Sequence, residues 1–506
     1  MKPQPAPTSA DRSLPAARRI RPPVHLAHQL AQRRVSPHDL RNMKPSATSN
    51  RLTGGLLVAI TGLEILSVWA SSTMAETVLP WLVILTTLVL ALQVRAGRYL
   101  FAVVALALSA ALIATNPDWR DIMHRGLMTA AFITAFFTAL ATLRSVAETS
   151  PAIRASGRFL AQQPPGRRYL ALTVGGQMFA LLLNYGAIAL LGSLATTSAN
   201  EEKDPEIRRH RTRRMLLAIQ RAFTSALPWS PLSFAVAIST ALIPGTSWAL
   251  AVLPGLVTSF VLAATGWVLD AAFKPKLSAP APVRQMPEGT WALMLPLALL
   301  LAILVTSIAV LYAATGIRIV GLVLVIVPVI AGFWLALQAR GKPDAPGVGR
   351  RVADYAFVEL PAYRGEIILL MMAGYIGTVG APLLGPVLMG IGLDLASMPA
   401  PLLLISFVWI IPLAGQLGMN PILTVTLLAP LIPEAADLGV TPNAIIVAIT
   451  SGWALTGVTS PFTATTLLIG SFGRVSARHV GLRWNGAYAL VTAVILSGWV
   501  ALYASL

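Results

Sequence analysis

Two apolar runs of this chain, each long enough to cross a bilayer, are interrupted in the same way. Residues 223–234 read FTSALPWSPLSF and residues 450–463 read TSGWALTGVTSPFT. Each places Thr-Ser early in an apolar helix and then breaks that helix with Ser-Pro, at Ser230-Pro231 and at Ser460-Pro461. A break inside a membrane span strands backbone groups that hydrocarbon cannot satisfy. It is tolerated only where it is buried in protein or lines a polar cavity. Two matching breaks in the two halves of one chain point to a site built on an internal repeat.

The surrounding composition sets the class. The chain has 506 residues, 56% hydrophobic and 11% charged, with a mean hydropathy of +0.71. A soluble domain carries roughly 25% charged residues. Many apolar runs exceed the ~20 residues a spanning helix needs, so the fold class is all-α and polytopic. Strands of a β-barrel would alternate polar and apolar residues instead. The formal net charge of +18 lies in loops and the N-terminal segment. The positive-inside rule and anionic lipid account for it without nucleic acid. Zero cysteines exclude disulfides, thiolate metal sites and thiol nucleophiles.

Residues 1–50 are rich in Pro, Ser and Arg and lack the apolar core of a signal peptide, which predicts a disordered basic cytoplasmic tail. Spans are predicted near 52–71, 78–95, 99–115 and 124–144. The stretch 170–197 is too long for one upright span, is polar at Asn184-Tyr185-Gly186, and has basic segments on both sides. If both flanks are cytoplasmic, it enters and leaves on one side as a re-entrant hairpin with Asn184 at its tip. The broken span 215–243 and a span at 248–273 complete a first repeat, 51–273, which includes an extra N-terminal span. A Pro-rich linker, 274–288, separates it from the second repeat, 289–506.

That second repeat holds spans near 289–313, 318–339 and 364–384, a hairpin at 399–433 interrupted by Gly418-Met419-Asn420-Pro421, the broken span 443–470 and a final span at 485–505. The loop after its hairpin is acidic, which suits the outer face. The halves align in order: His124-Arg125-Gly126 with Tyr363-Arg364-Gly365, Asn184 with Asn420, and Ser230-Pro231-Leu232-Ser233 with Ser460-Pro461-Phe462-Thr463. One half starts inside and the other outside, an inverted-topology repeat of about eleven transmembrane helices plus two re-entrant hairpins. The N-terminus is cytoplasmic and the protein sits in a bacterial-type inner membrane.

Half-helices at mid-membrane offer two chemistries. Their N-terminal ends carry partial positive charge and hold anions, and unwound carbonyls coordinate Na⁺. The expected substrate and ion site is therefore Asn184, Tyr185, Gly186, Thr224, Ser225, Ser230, Pro231 and Ser233 from the first repeat. Asn420, Thr456, Gly457, Thr459, Ser460, Pro461 and Thr463 come from the second, with Thr465 close by. No cofactor or catalytic residue is expected. The coupling ion is Na⁺ or H⁺, with Na⁺ placed near Asn184 and Asn420.

Two Asn-tipped hairpins, each followed by a broken helix, resemble the ion transporter superfamily of divalent anion:sodium symporters, citrate transporters and arsenite-type antiporters. The segment Thr456-Gly457-Val458-Thr459-Ser460-Pro461 is similar to that family's second helix break. The likeness covers 125–273 and 364–505. It implies an elevator-type secondary transporter, commonly a homodimer, whose hairpins and broken helices form the moving domain. The tips depart from that pattern, reading Leu-Asn184-Tyr and Met-Asn420-Pro, and the first break has Pro228-Trp229 in place of glycine.

Other charges at membrane depth are few. Glu64 is a proton site or a helix-packing partner. Arg125, Arg364 and Glu366 read as interfacial anchors, and Asp270 as solvated at a span end. The six His residues show no metal-ligand spacing. The expected function is secondary active transport of a small anionic solute, an organic acid or inorganic anion, with membrane lipid as the only other partner. An ion channel is the alternative, although sealed hairpins do not make a continuous pore. A membrane-embedded enzyme would need carboxylates or metal ligands at depth. ATP-driven transport lacks its phosphate-binding motif.

Overall fold

Apolar runs become α-helices because a helix satisfies its backbone hydrogen bonds internally, which hydrocarbon demands. The computed structural model describes residues 47–94, 96–274, 278, 289–340, 346–390, 395 and 397–506. The tail before residue 47 and nearly all of the 274–288 linker lie outside them. The first half contains α1 (Ala47–Ala70), α2 (Thr73–Ala91), α3 (Ala96–Thr115), α4 (Trp119–Glu148), α5 (Pro151–Ala161), α6 (Pro165–Leu183), α7 (Tyr185–Asn200), α8 (Pro205–Ala226), α9 (Phe234–Leu242) and α10 (Trp248–Ala272). The second contains α11 (Leu295–Thr315), α12 (Ile319–Ala339), α13 (Val348–Asp354), α14 (Arg364–Gly390), α15 (Ala400–Gln416), α16 (Pro421–Leu428), α17 (Pro442–Thr459), α18 (Ala464–Gly473) and α19 (Gly486–Ala504).

Nine helices among the described residues are long and apolar enough to cross a membrane. With their lipid-like outer faces they make this a multi-pass membrane protein. Its large exposed side chains include Trp81, Leu106, Phe260, Phe333 and Val494, the reverse of a water-soluble surface. Burial rises toward the helices that carry the breaks. An 18-residue apolar stretch within Pro442–Gly473 is 89% buried, against 28% for one within Gly486–Ala504.

Two elements differ from the sequence expectation. The basic segment after α4 folds as α5, which buries Ile153, Phe159 and Leu160. Phe159 stacks edge-on against Trp291 at 5.2 Å, and the Ser156 hydroxyl donates to the Leu293 carbonyl at 2.6 Å. The polar stretch before α14 is helical too. It runs through α13, a π-helical turn (Tyr355–Glu359) and Leu360–Ala362, with Tyr355 OH donating to the Thr138 carbonyl at 2.5 Å. Both elements are shorter than a span, so a membrane-length hydropathy reading passes over them.

The matched helices α4 and α14 lie against each other where glycine allows it. A Cβ at Gly126 would stand 3.0 Å from the Tyr375 ring, and one at Gly374 would stand 2.3 Å from Ile133 Cδ1. Beyond them the same order of elements recurs. A helix pair with an Asn at its turn is followed by a helix that breaks at Ser-Pro and resumes: α6–α7 then α8/α9, and α15–α16 then α17/α18. In each half the first arm of the pair packs on the helix that precedes the break, α6 on α8 and α15 on α17. The resumed helices pack crosswise, α18 on α7 and α9 on α16.

Candidate functional site

Proline lacks the N–H that would bond the carbonyl four residues earlier. Pro231 therefore releases the Leu227 carbonyl, and Pro461 releases that of Gly457. Both are capped again, by different means. The Ser233 hydroxyl donates to Leu227 O at 2.7 Å, six residues back in its own segment. Gly457 O accepts from the Thr465 hydroxyl and, across the repeats, from Gln220 Nε2 at 3.2 Å. The two serines share one turn geometry. Ser230 Oγ accepts from Leu232 N at 3.1 Å and Ser460 Oγ from Phe462 N at 3.3 Å, which is why Ser before Pro suits both sites.

The breaks radiate from a crossing of α8 and α17. A Cβ at Gly457 would stand 2.7 Å from Thr224 Cγ2 and 3.9 Å from Leu227 Cδ1, so the residues three before each break meet. The second turn closes against its break, and the first lies against α8 two turns before the break there. Ser460 Oγ donates to the Gly415 carbonyl at 2.6 Å, tying the second break to the end of α15. On the other side, the Tyr185 and Phe223 rings lie 5.1 Å apart.

Asn184 turns α6 into α7 with φ +48° and ψ −130°, a left-handed φ that Asn tolerates better than most residues. Gly418 makes the second turn with φ +92°, which favours glycine. A Cβ at Gly186 would stand 3.0 Å from both Arg144 Nε and Glu148 Oε1. Those two groups pair at 2.8 Å, and Arg144 lies 4.9 Å over the Tyr363 ring. The first turn thus abuts an ion pair on α4.

The expected side chains divide into two groups. The hydroxyls of Thr224, Ser225, Thr456 and Thr459 are buried and bond carbonyls of their own helices, although Ser225 also accepts from Gln177 Nε2 at 3.2 Å. Ser230, Ser233, Ser460 and Thr463 organise the breaks themselves. Pro461 and Thr463 are half-buried and Phe462 is 61% exposed, while Ser230–Phe234 are all buried. The second break is open where the first is closed, apart from the Trp229 indole N–H, a buried donor with no partner among the described residues.

Helix N-termini repeat that contrast. Ser233 caps α9 by accepting from Val236 N at 3.2 Å, and Asn420 caps α16 by accepting from Ile422 N at 2.9 Å. Thr463 and Asn184 make no such bond to α18 and α7. The capped pair, α9 and α16, pack together, and so do the uncapped pair. Phe472 meets Gly192 with its ring 2.7 Å from where a Cβ would stand, two turns into each helix. The Asn420 side-chain oxygen is the cap of α16.

Some charges depart from expectation. Asp270, expected in solvent, is bidentate to Arg214 at 2.8 and 2.5 Å, because α8 brings that guanidinium against α10. Glu64 is 5% exposed, with one carboxyl oxygen unpartnered among the described residues. Arg364 donates to Asn50 Oδ1 at 3.0 Å and to Pro361 O at 2.7 Å. Arg221 has no place among the expected site residues. It is 5% exposed and donates from Nε to Asn485 Oδ1 at 3.1 Å and from Nη1 to Tyr169 OH at 3.0 Å. The signal that finds it is simple: it is a cation inside the 215–243 span. No group of three or more His, Asp and Glu that could hold a metal occurs among the described residues.

No protein-family model matches the chain, and no curated protein matches its sequence. Solved structures do. The fold is similar to the Alcanivorax borkumensis YdaH transporter, whose crystal structure has an unusual topology, with TM-score 0.57 and 18% identity over 81% of this chain and 99% of that one. It is also similar to Neisseria gonorrhoeae MtrF, from a class of antimetabolite efflux pumps, with TM-score 0.51 and 16% identity over 82% and 96% of the two chains. These neighbours are described as a transporter and as an efflux pump. They are not the divalent anion:sodium, citrate or arsenite-type transporters that the Thr456–Pro461 segment resembles, so that narrower expectation is corrected to the coarser one. At this identity the likeness is one of fold.

Proposed function

We infer that the chain is a secondary active transporter of a small anionic solute, an organic acid or an inorganic anion. The observation that carries this is the open second break. There helix α18 begins at half-buried Thr463 with no side-chain cap on its N-terminus, and it packs on α7, whose N-terminus has no side-chain cap either. Backbone N–H groups at such ends attract negative charge without placing a full cation in the membrane. The neighbours' fold supports the transporter class, and one of them is described as an efflux pump.

In this proposal the two helix pairs are re-entrant hairpins of an inverted repeat. The pairs and broken helices move together as an elevator against the remaining spans, in a homodimer embedded in lipid of a bacterial-type inner membrane, with the N-terminus cytoplasmic. The solute sits at Asn184-Tyr185-Gly186 and Thr459–Thr463, and Na⁺ or H⁺ supplies the driving gradient. The crossing at Thr224 and Gly457 is what lets both halves act on one site.

The test is uptake into proteoliposomes, guided by thermal-shift screening of the purified protein against succinate, citrate, benzoate, sulfate and phosphate. A stabilising anion that is also accumulated down an imposed Na⁺ or H⁺ gradient supports the proposal. Stabilisation by cationic or neutral solutes alone, or gradient-independent flux at channel-like rates, overturns it.

A further inference from the structure

An arginine buried at membrane depth is costly unless something compensates its charge, and Arg221 is held by neutral groups. Besides Asn485 Oδ1 and Tyr169 OH, its Nη1 reaches the Gly266 carbonyl at 3.4 Å, and the guanidinium lies 4.2 Å over the Tyr488 ring. These partners are themselves buried. The carboxylate on the neighbouring helix, Asp270, is bidentate to Arg214 instead. The arrangement holds the charge of Arg221 without pairing it with an acid.

From Arg221 a chain of side-chain hydrogen bonds leads to the second break. Asn485 accepts from Arg221 and donates from Nδ2 to Gln220 Oε1 at 3.0 Å. Gln220 then donates to Gly457 O, the carbonyl that Pro461 releases. That carbonyl also accepts from Thr465. The Ser460 carbonyl accepts from Thr466 Oγ1 at 2.6 Å and Thr463 Oγ1 at 3.0 Å. A carbonyl oxygen has two lone pairs, and here the Gly457 and Ser460 oxygens each already accept two side-chain hydrogen bonds. α8, which carries Arg221, also packs against both α7 and α18, the pair whose N-termini are uncapped.

We propose that Arg221 is a built-in counter-cation, which lets the second break hold an anion with no sodium ion bound there. It acts through Asn485 and Gln220 as a positioning and electrostatic residue, without touching the solute. This rests on the anion-transporter proposal above and narrows it: the carried solute is anionic, and its binding at the second break does not depend on Na⁺.

The experiment titrates the purified full chain with the anion that stabilises it most among succinate, citrate, benzoate, sulfate and phosphate, in sodium and in choline buffers. The wild-type midpoint is expected to be the same in both. Arg221→Gln should weaken anion binding at least tenfold, while Arg221→Lys, which keeps the charge and loses the forked hydrogen bonds, should stay within a few-fold of wild type. Should Arg221→Gln fail to fold, Asn485→Asp places an acid against the guanidinium and should give the same tenfold weakening. A wild-type titration that requires Na⁺ overturns the inference and leaves the transporter proposal standing. So does equal loss in Arg221→Gln and Arg221→Lys, which marks a purely structural residue, or wild-type affinity in Arg221→Gln or Asn485→Asp. If none of the anions binds the wild type, the anion proposal itself falls and this inference with it.

Discussion

The two Ser-Pro breaks start from nearly the same local chemistry and end differently. At the first, Ser233 caps the released Leu227 carbonyl and the next helix at once, and Ser230–Phe234 are buried. At the second, the released carbonyl is capped by Thr465 and by Gln220 of the other repeat. Thr463 turns its hydroxyl back to Ser460 O rather than onto the helix that follows, and Phe462 is exposed. A break that satisfies itself is a structural joint. In the proposed function, a break whose N-terminus is left open, with its carbonyls already filled, is the one that receives negative charge.

Several experiments break or sharpen that contrast. The largest effect is expected from Ser460→Ala with Thr463→Ala, which removes the bonds to Gly415 O and within the open break. Proteoliposome uptake should vanish while expression and oligomeric state, checked by size-exclusion chromatography, stay unchanged. Full uptake in this double variant would remove the second break from the site. Next is the crossing: Gly457→Ala puts a Cβ 2.7 Å from Thr224 Cγ2, and the β-branched Thr224 has little freedom in its helix. A loss of about 1–3 kcal/mol in stability is expected, visible as a lower melting temperature. Adding Thr224→Ser, which deletes that methyl, should recover much of it; no recovery would mean that the two repeats do not lean on each other there.

Smaller is Ser233→Ala at the closed break. Losing the cap of α9 and of Leu227 O should lower stability by about 1–2 kcal/mol with most of the uptake retained. Abolished uptake at unchanged stability would make the first break part of the binding site after all. The smallest effect is Gly186→Ala, whose Cβ meets only the flexible ends of Arg144 and Glu148. A change within about 0.5 kcal/mol is expected, with uptake slowed if the α4 ion pair guides the moving turn. An undiminished uptake rate in Gly186→Ala would separate that pair from transport.

Much of the architecture was readable from the chain because its signals are local. Pro231 and Pro461 must end helices wherever they lie. Asn184, between two apolar arms, marks a turn, and the structure places the turn there with a left-handed φ. The elements α5 and α13 are hard to read from the chain because they are short and mixed with charged residues, and so form no long apolar run. Asp270 was misplaced because its partner, Arg214, lies 56 residues away. Arg221 stands in plain view within a span, but its neutral partners Tyr169, Gly266, Asn485 and Tyr488 come from both halves of the chain.

By itself, then, the sequence determined the class of the molecule, the places where helices stop, and the recurrence of the Asn turn and Ser-Pro break. All of these follow from short-range rules: how apolar a run is, and which residues lack an N–H or tolerate an unusual φ. Only the tertiary structure decided which break is closed and which is open, because that depends on which donor reaches each freed carbonyl. At the first the donor is a serine six residues away. At the second one donor is a glutamine 237 residues away, brought there by the crossing of α8 and α17, and no local pattern in the chain encodes that meeting.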